Sequence, residues 1–221
     1  MSAIRLVVFD LDGTLIDSRR DLARAANEVL ASRGGGPLAE DAVTRMVGDG
    51  ARALLERAFA AAGLPPPGDA DLQAFNRCYH AHLFDTTLPY EGADAMVRAA
   101  AAHGIACLLT NKPEPHARRL VEHFGWAPLL AAVVGGDAAW PRKPAPDGLL
   151  AVMTQAGAEA AETVLVGDSH VDLATARAAG VRLALARYGF GAESVDPARL
   201  GPDDWVLDAP ADLAPRLARS S

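Results

Sequence analysis

Ile4-Arg5-Leu6-Val7-Val8-Phe9-Asp10-Leu11-Asp12-Gly13-Thr14 is the stretch from which the rest of the chain can be read. The apolar run over residues 4–9, rich in branched side chains, is predicted to be a buried strand. It delivers two carboxylates, Asp10 and Asp12, at its end, and Gly13 behind them permits a tight turn. In extended backbone, residues two apart share a face, so Asp10 and Asp12 are able to converge on one ligand. Taken alone, the same residues also read as an Asp-Gly turn leaving a strand.

Working outward, residues 105–109, 131–134, 163–166 and 181–186 repeat the short buried-strand signature, with residues 205–207 a sixth candidate. Amphipathic, Ala-rich stretches separate them, at about 93–103, 114–124, 146–156 and 171–179. Such alternation predicts an α/β fold: a doubly wound (Rossmann-like) parallel sheet that binds ligands beyond the carboxyl ends of its strands. One segment breaks the alternation. From about residue 17 to residue 84 no strand is evident, only helical patterns at about 20–33, 39–46, 51–62 and 69–84. Gly34-Gly35-Gly36-Pro37 and the Pro-rich run between Gly63 and Gly68 punctuate them. The expected organisation is therefore a catalytic core of residues 1–16 and 89–221 with an inserted α-helical cap of residues 17–88, hinged near 16–17 and 88–92.

The chemistry should lie at the strand ends. Val164-Leu165-Val166-Gly167-Asp168-Ser169 again runs a strand into a carboxylate, and Asp172 follows one helical turn later. Asp168 or Ser169 as a helix N-cap is the plainer reading, but it does not explain why two strands of one parallel sheet end in acids. Asp10, Asp12, Asp168 and Asp172 should crowd along one edge. Two such charges at about 4 Å repel by roughly 4 kcal/mol at an effective dielectric near 20. A cluster of this kind calls for protonation or a cation, and hard oxygen donors suit Mg2+. Thr110 and Asn111 end a second strand in a hydroxyl and an amide able to bond phosphate oxygens. Lys143 precedes Pro144-Ala145-Pro146, whose restricted backbone holds it in place.

In this order, Asp10-x-Asp12-Gly13-Thr14, Thr110-Asn111, Lys143-Pro144 and Gly167-Asp168-Ser169-x-x-Asp172 resemble the four motifs of the haloacid dehalogenase-like hydrolases. The helical insertion is similar to that superfamily's cap. Val47-Gly48-Asp49-Gly50-Ala51, Thr110-Asn111-Lys112 and Pro89-Tyr90-Glu91-Gly92 resemble its phosphoglycolate phosphatase family. The resemblance implies a magnesium-dependent phosphomonoester hydrolase with Asp10 as nucleophile and metal ligand. Asp12 would be the acid and base and bind the metal through its backbone carbonyl, with Asp168 the third ligand from the protein. Thr110, Asn111 and Lys143 would hold the phosphoryl group, supported by Ser169 and by Asp172, which would orient water or Lys143. Cap closure would exclude bulk water and admit small substrates. The cap-loop residues Gly48 and Gly50 are candidates for substrate contact, as is Arg52, although a solvated helix face is the plainer reading for it. 2-Phosphoglycolate is the favoured substrate. The alternatives are a sugar-phosphate phosphatase or mutase, a pyrophosphatase, or a non-catalytic binding protein retaining the fold. A dehalogenase is disfavoured because that branch does not keep an acid at Asp12.

Bulk properties agree. A chain of 221 residues, 50% hydrophobic, can build one core and a smaller attached unit. Its net charge of −7 argues against a nucleic-acid partner, which would call for clustered Lys and Arg. Neither a signal peptide nor a membrane span is visible, so a cytoplasmic location, no membrane partner, and a monomer or homodimer are expected. Cys78 and Cys107 read as reduced packing residues. Cys78, His80 and His82 suggest a metal cluster, but on one helix Cys78 and His82 share a face that His80 does not. Packing or surface roles are the expectation there. His103, His116 and His123 read as helix-surface residues, and His170 is left unassigned.

Overall fold

The computed structural model describes residues 3–220. The chain forms two compact units, one comprising residues up to Asp17 and from Pro89 onward, the other Ser18–Leu88.

In the first unit, strands β1 (Leu6–Phe9), β4 (Ile105–Leu109), β5 (Ala132–Val134), β6 (Thr163–Gly167), β7 (Arg182–Ala186) and β8 (Trp205–Leu207) form one sheet in the order β5-β4-β1-β6-β7-β8. Every pairing is parallel, with β1 between β4 and β6. Two further short strands, β2 (Ile16–Asp17) and β3 (Leu88–Pro89), lie where the chain passes between units. Helices α5 (Ala93–His103), α6 (Glu114–His123), α7 (Asp147–Ala156), α8 (His170–Ala179) and α9 (Leu213–Ala218) complete this unit. Leu6 and Val8 of β1 join Leu165, Leu149, Val152 and Leu173 in a core beneath α7 and α8. Val7 and Phe9, also fully buried, point to the opposite face. Strands buried on both faces read as unbroken apolar runs, which is the pattern of residues 4–9.

The sequence anticipates the six strands of this sheet and nearly all of the α-helices. β1 begins at Leu6 rather than Ile4. α9 was not anticipated, because Pro215 lies inside it; proline is tolerated in a first helical turn, where the missing N–H has no intrahelical partner. His116 corrects the surface reading of the histidines. It is buried with Ala117, Leu120 and Val121, since positions 116 and 120 share the inward face of α6. Among the described residues no helix is long and apolar enough to cross a membrane.

The second unit is helical: α1 (Arg19–Ser32), α2 (Glu40–Thr44), α3 (Ala51–Ala61) and α4 (Asp69–Ala81). α1 buries Leu22, Ala25, Ala26, Val29 and Leu30, the spacing of one helical stripe. Phe59, Phe75 and Tyr79 are buried from α3 and α4. A charged group sits within this unit. Asp21, only 1% exposed, accepts hydrogen bonds from the backbone N–H and hydroxyl of both Thr86 and Thr87, at 2.7–3.0 Å. Its carboxylate thus ties the start of α1 to the segment after α4. Asp21→Ala leaves buried donors without an acceptor. It is expected to destabilise the helical unit by about 2–4 kcal/mol, read as an earlier loss of far-ultraviolet helical signal on heating.

Candidate active site

The parallel register brings the acids together. Phe9 lies level with Leu108 on one side and Val166 on the other, and the Asp10 N–H donates to the Val166 carbonyl at 2.8 Å. Asp10 therefore leaves β1 beside the end of β6, where Asp168 follows Gly167. β4 ends level with β6, at Leu109, and presents Thr110, Asn111 and Lys112, all buried. The Asn111 side-chain amide donates to the Lys143 carbonyl at 2.9 Å, fastening the loop that carries the lysine. The Lys143–Pro144 peptide bond is cis.

Lys143 is the hub. Its Nζ donates to Asp172 Oδ1 at 2.6 Å and lies 3.0 Å from Asp10 Oδ1. The contact to Asp10 is an ion pair outside hydrogen-bond geometry, so that buried oxygen has no hydrogen bond. Asp172 is held from the other side. Its Oδ2 accepts from the Ser169 N–H at 3.0 Å and the Ser169 hydroxyl at 2.7 Å. Ser169 is the N-cap residue of α8, and the Asp172 carboxylate that accepts from it turns its other oxygen onto Lys143. Asp168 accepts from the Gly191 N–H at 2.7 Å and the Thr14 hydroxyl at 3.2 Å.

Asp12 is engaged differently. Its two carboxylate oxygens lie 2.9 and 2.8 Å from Lys112 Nζ, whose side chain is almost wholly buried. Asp10, Asp168 and Asp172 each offer an oxygen within 4.8 Å of the others, and the Asp12 carboxylate is not part of that group. The residues that support the site beyond the motif roles are Lys112, Thr14 and Gly191. The first two had a signal, adjacency to Thr110-Asn111 and to Asp12. Gly191 arrives from the loop after β7 and had none.

Electrostatics point to a cation. Burial pushes the Asp10 carboxyl up to about 6, against the opposing pull of Lys143 and with a further push from Asp172. Asp168 is raised well above the usual carboxylate range by burial, then by Asp172 and Asp10. Burial alone would lower the Lys143 ammonium, but Asp10 and Asp172 outweigh it and raise it. Asp10, Asp168 and Asp172 share the single ammonium of Lys143, while Asp12 is matched by Lys112, so the three grouped carboxyls carry a formal excess of negative charge that a divalent ion would offset. An unbonded Asp10 oxygen and all-oxygen donors fit a hard ion of the Mg2+ class.

Close backbone approach makes the cluster possible. Gly13 has φ +84°, and a Cβ there would stand 2.0 Å from Asp168 Oδ2. Gly13→Ala is expected to cost about 2–4 kcal/mol of stability and, by displacing Asp168, to lower kcat roughly 100-fold. Gly34, at φ +78° and with nothing within 4 Å of where a Cβ would stand, is the control. Gly34→Ala should cost only about 1–2 kcal/mol and leave kcat unchanged. Equal kinetic effects in the two variants would contradict the steric argument.

Gly48, Gly50 and Arg52 lie in the helical unit. Both glycines have positive φ, and Gly50 is the N-cap of α3. The exposed Arg52 pairs with Asp69 at 2.5 Å. His170 is the exposed first residue of α8, and its N–H donates to the Ser194 hydroxyl.

Comparison with known proteins bears on the same features. Residues 4–180 match the family model of the haloacid dehalogenase-like hydrolases. The chain is 46% identical over 199 residues to a phosphoglycolate phosphatase of Rhodospirillum rubrum, covering 86% of this chain and 83% of that protein. It is 40% identical to a plasmid-borne phosphoglycolate phosphatase of Cupriavidus necator, over 96% and 94% of the two chains. Among solved structures, a predicted phosphoglycolate phosphatase from Haemophilus somnus superposes with a TM-score of 0.88 at 27% identity, covering 98% of this chain and 99% of that one. With its parallel sheet and its four motifs in order, the chain belongs to the haloacid dehalogenase-like hydrolase family and groups with the phosphoglycolate phosphatases.

Proposed function

We propose that this protein is a magnesium-dependent phosphomonoester hydrolase that acts through an aspartyl-phosphate on Asp10, with 2-phosphoglycolate as its substrate. The observation that carries the reading is the buried Asp10 carboxylate, 3.0 Å from Lys143 Nζ and grouped with oxygens of Asp168 and Asp172. The relatives' shared name supports the substrate.

Asp10 and Asp168, with the backbone carbonyl of Asp12, would hold Mg2+, which when bound supplies positive charge that lets an anionic nucleophile meet an anionic phosphate. An Asp10 oxygen attacks phosphorus; the new O–P bond forms as the bond to the substrate's ester oxygen breaks. Asp12 gives its proton to that departing oxygen, and its contact with Lys112 fixes where the carboxyl stands. Asp12 then takes a proton from water, whose oxygen bonds to phosphorus as the Asp10 O–P bond breaks. Phosphate leaves and both aspartates are restored. Lys143, Thr110 and Asn111 stabilise the charge that spreads over the transferring group. Asp172 and Ser169 keep Lys143 aimed.

A panel of phosphomonoesters tests this. With Mg2+ present, kcat/KM for 2-phosphoglycolate should exceed that for hexose phosphates and pyrophosphate by roughly 100-fold, and chelation should remove the activity. Comparable efficiency on sugar phosphates would sink the substrate assignment, and turnover indifferent to chelation would sink the metal's role.

A further inference from the structure

The histidine–cysteine pattern near the end of α4 is absorbed by nothing above. Cys78 and His82 share a face, as i and i+4 residues do, and the fold sets Glu28 of α1 against them. Glu28, Cys78 and His82 each offer a ligand atom, all within 4.8 Å of one another. His80, exposed on another face, is not among them.

The surroundings are ordered as a metal site's usually are. Glu28 Oε2 faces Cys78 Sγ at 2.9 Å, while its other oxygen is held by Arg24 Nε at 3.2 Å. His82 Nδ1 lies 2.8 Å from Asp85 Oδ2, which Arg24 also grips, at 2.8 Å. Metal-binding histidines commonly turn one ring nitrogen to a carboxylate, fixing the tautomer so that the other can ligate. The charges also balance. Once an ion has displaced the Cys78 proton, Glu28, Asp85 and Cys78 against Arg24 carry a formal excess of two negative charges, the amount a divalent ion cancels.

We propose that Glu28, Cys78 and His82 form a second metal site in the helical unit, selective for a borderline ion such as Zn2+ over Mg2+. Sulfur and nitrogen donors set this preference, as all-oxygen donors set the opposite one at the strand ends. Binding displaces the Cys78 proton to solvent and leaves room for a solvent ligand to complete a tetrahedral shell. The ion ties α1 to α4, so it should raise the stability of the helical unit.

Co2+ is the spectroscopic probe, added to the whole chain in excess Mg2+ so that the carboxylate site is saturated. A thiolate-to-cobalt charge-transfer band in the near ultraviolet and tetrahedral d–d bands in the visible are expected, both removed by Zn2+. Cys78→Ser should abolish the charge-transfer band, and Cys107→Ser should retain it. Asp85→Asn should weaken Co2+ binding by roughly 10-fold. If Cys78→Ser loses its helical circular dichroism, Glu28→Gln and His82→Ala carry the test, each expected to lose the tetrahedral d–d spectrum. No charge-transfer band at saturating Co2+, a band that survives Cys78→Ser, or d–d bands unchanged in Glu28→Gln and His82→Ala would overturn the site.

Discussion

Asp10→Asn is expected to lower kcat by roughly 10⁴-fold or more while leaving the fold intact. The amide matches the carboxylate in shape but is no nucleophile toward phosphorus, so chemistry stops even where substrate still binds. Stability should not suffer. Burial pushes the Asp10 carboxyl up to about 6, which means the folded protein disfavours its ionised form relative to the unfolded chain, where the group titrates near 3.8. At neutral pH that mismatch costs stability in metal-free protein, and a neutral amide relieves it. Lys143 keeps Asp172 as a partner at 2.6 Å. The melting temperature in chelator should therefore be equal to or above that of the parent. Substantial activity in this variant would remove Asp10 from the nucleophile's role, whereas an unfolded variant would contradict the electrostatic account.

Lys143→Met should damage both activity and stability. Lys143 is only 5% exposed, and its ammonium compensates Asp10 and Asp172 together. Removing one partner of a buried ion pair strands the other charges, a loss of about 3–5 kcal/mol. Loss of a cation aimed at the transferring phosphoryl group should lower kcat by roughly 10³-fold. These two effects separate in a double variant. Adding Asp172→Asn to Lys143→Met removes one stranded charge and should recover part of the stability with no recovery of kcat. If kcat returned along with stability, Lys143 would be a structural residue only.

Much of this arrangement was legible in the sequence because it rests on backbone periodicity. Strands buried on both faces leave unbroken apolar runs, so β1, β4, β6 and β7 announce themselves, and a parallel sheet then has one carboxyl edge at which their trailing polar residues must gather. Asp10, Asp168 and Thr110 follow from that rule, whereas Lys143, in the loop after β5, is marked by its place ahead of Pro144-Ala145-Pro146 and by the motif resemblance. What stayed hidden depends on side-chain direction or on chain segments far apart. Asp12 and Lys112 are a hundred positions apart, and nothing local says that the lysine turns inward. Gly191 reaches Asp168 from a loop with no pattern of its own. His116 looked like a surface residue because its type is polar, yet its position on α6 faces inward. Asp21 reads as an ordinary first-turn acid, although it collects hydrogen bonds from Thr86 and Thr87 across the helical unit. The approach of Glu28 to Cys78 is of the same kind, a meeting of two helices that neither sequence segment discloses.

The central claim is that the carboxylate leaving β1 becomes covalently phosphorylated. It is tested most directly by acid-quenching the enzyme during turnover of 2-phosphoglycolate with Mg2+, reducing the quenched protein with borohydride, and locating the modified residue by peptide mass spectrometry. Reduction of an aspartyl-phosphate gives homoserine, and the account predicts that conversion at position 10 alone, dependent on substrate and metal. Rapid turnover with position 10 unmodified, or phosphate carried by a different side chain, would contradict it.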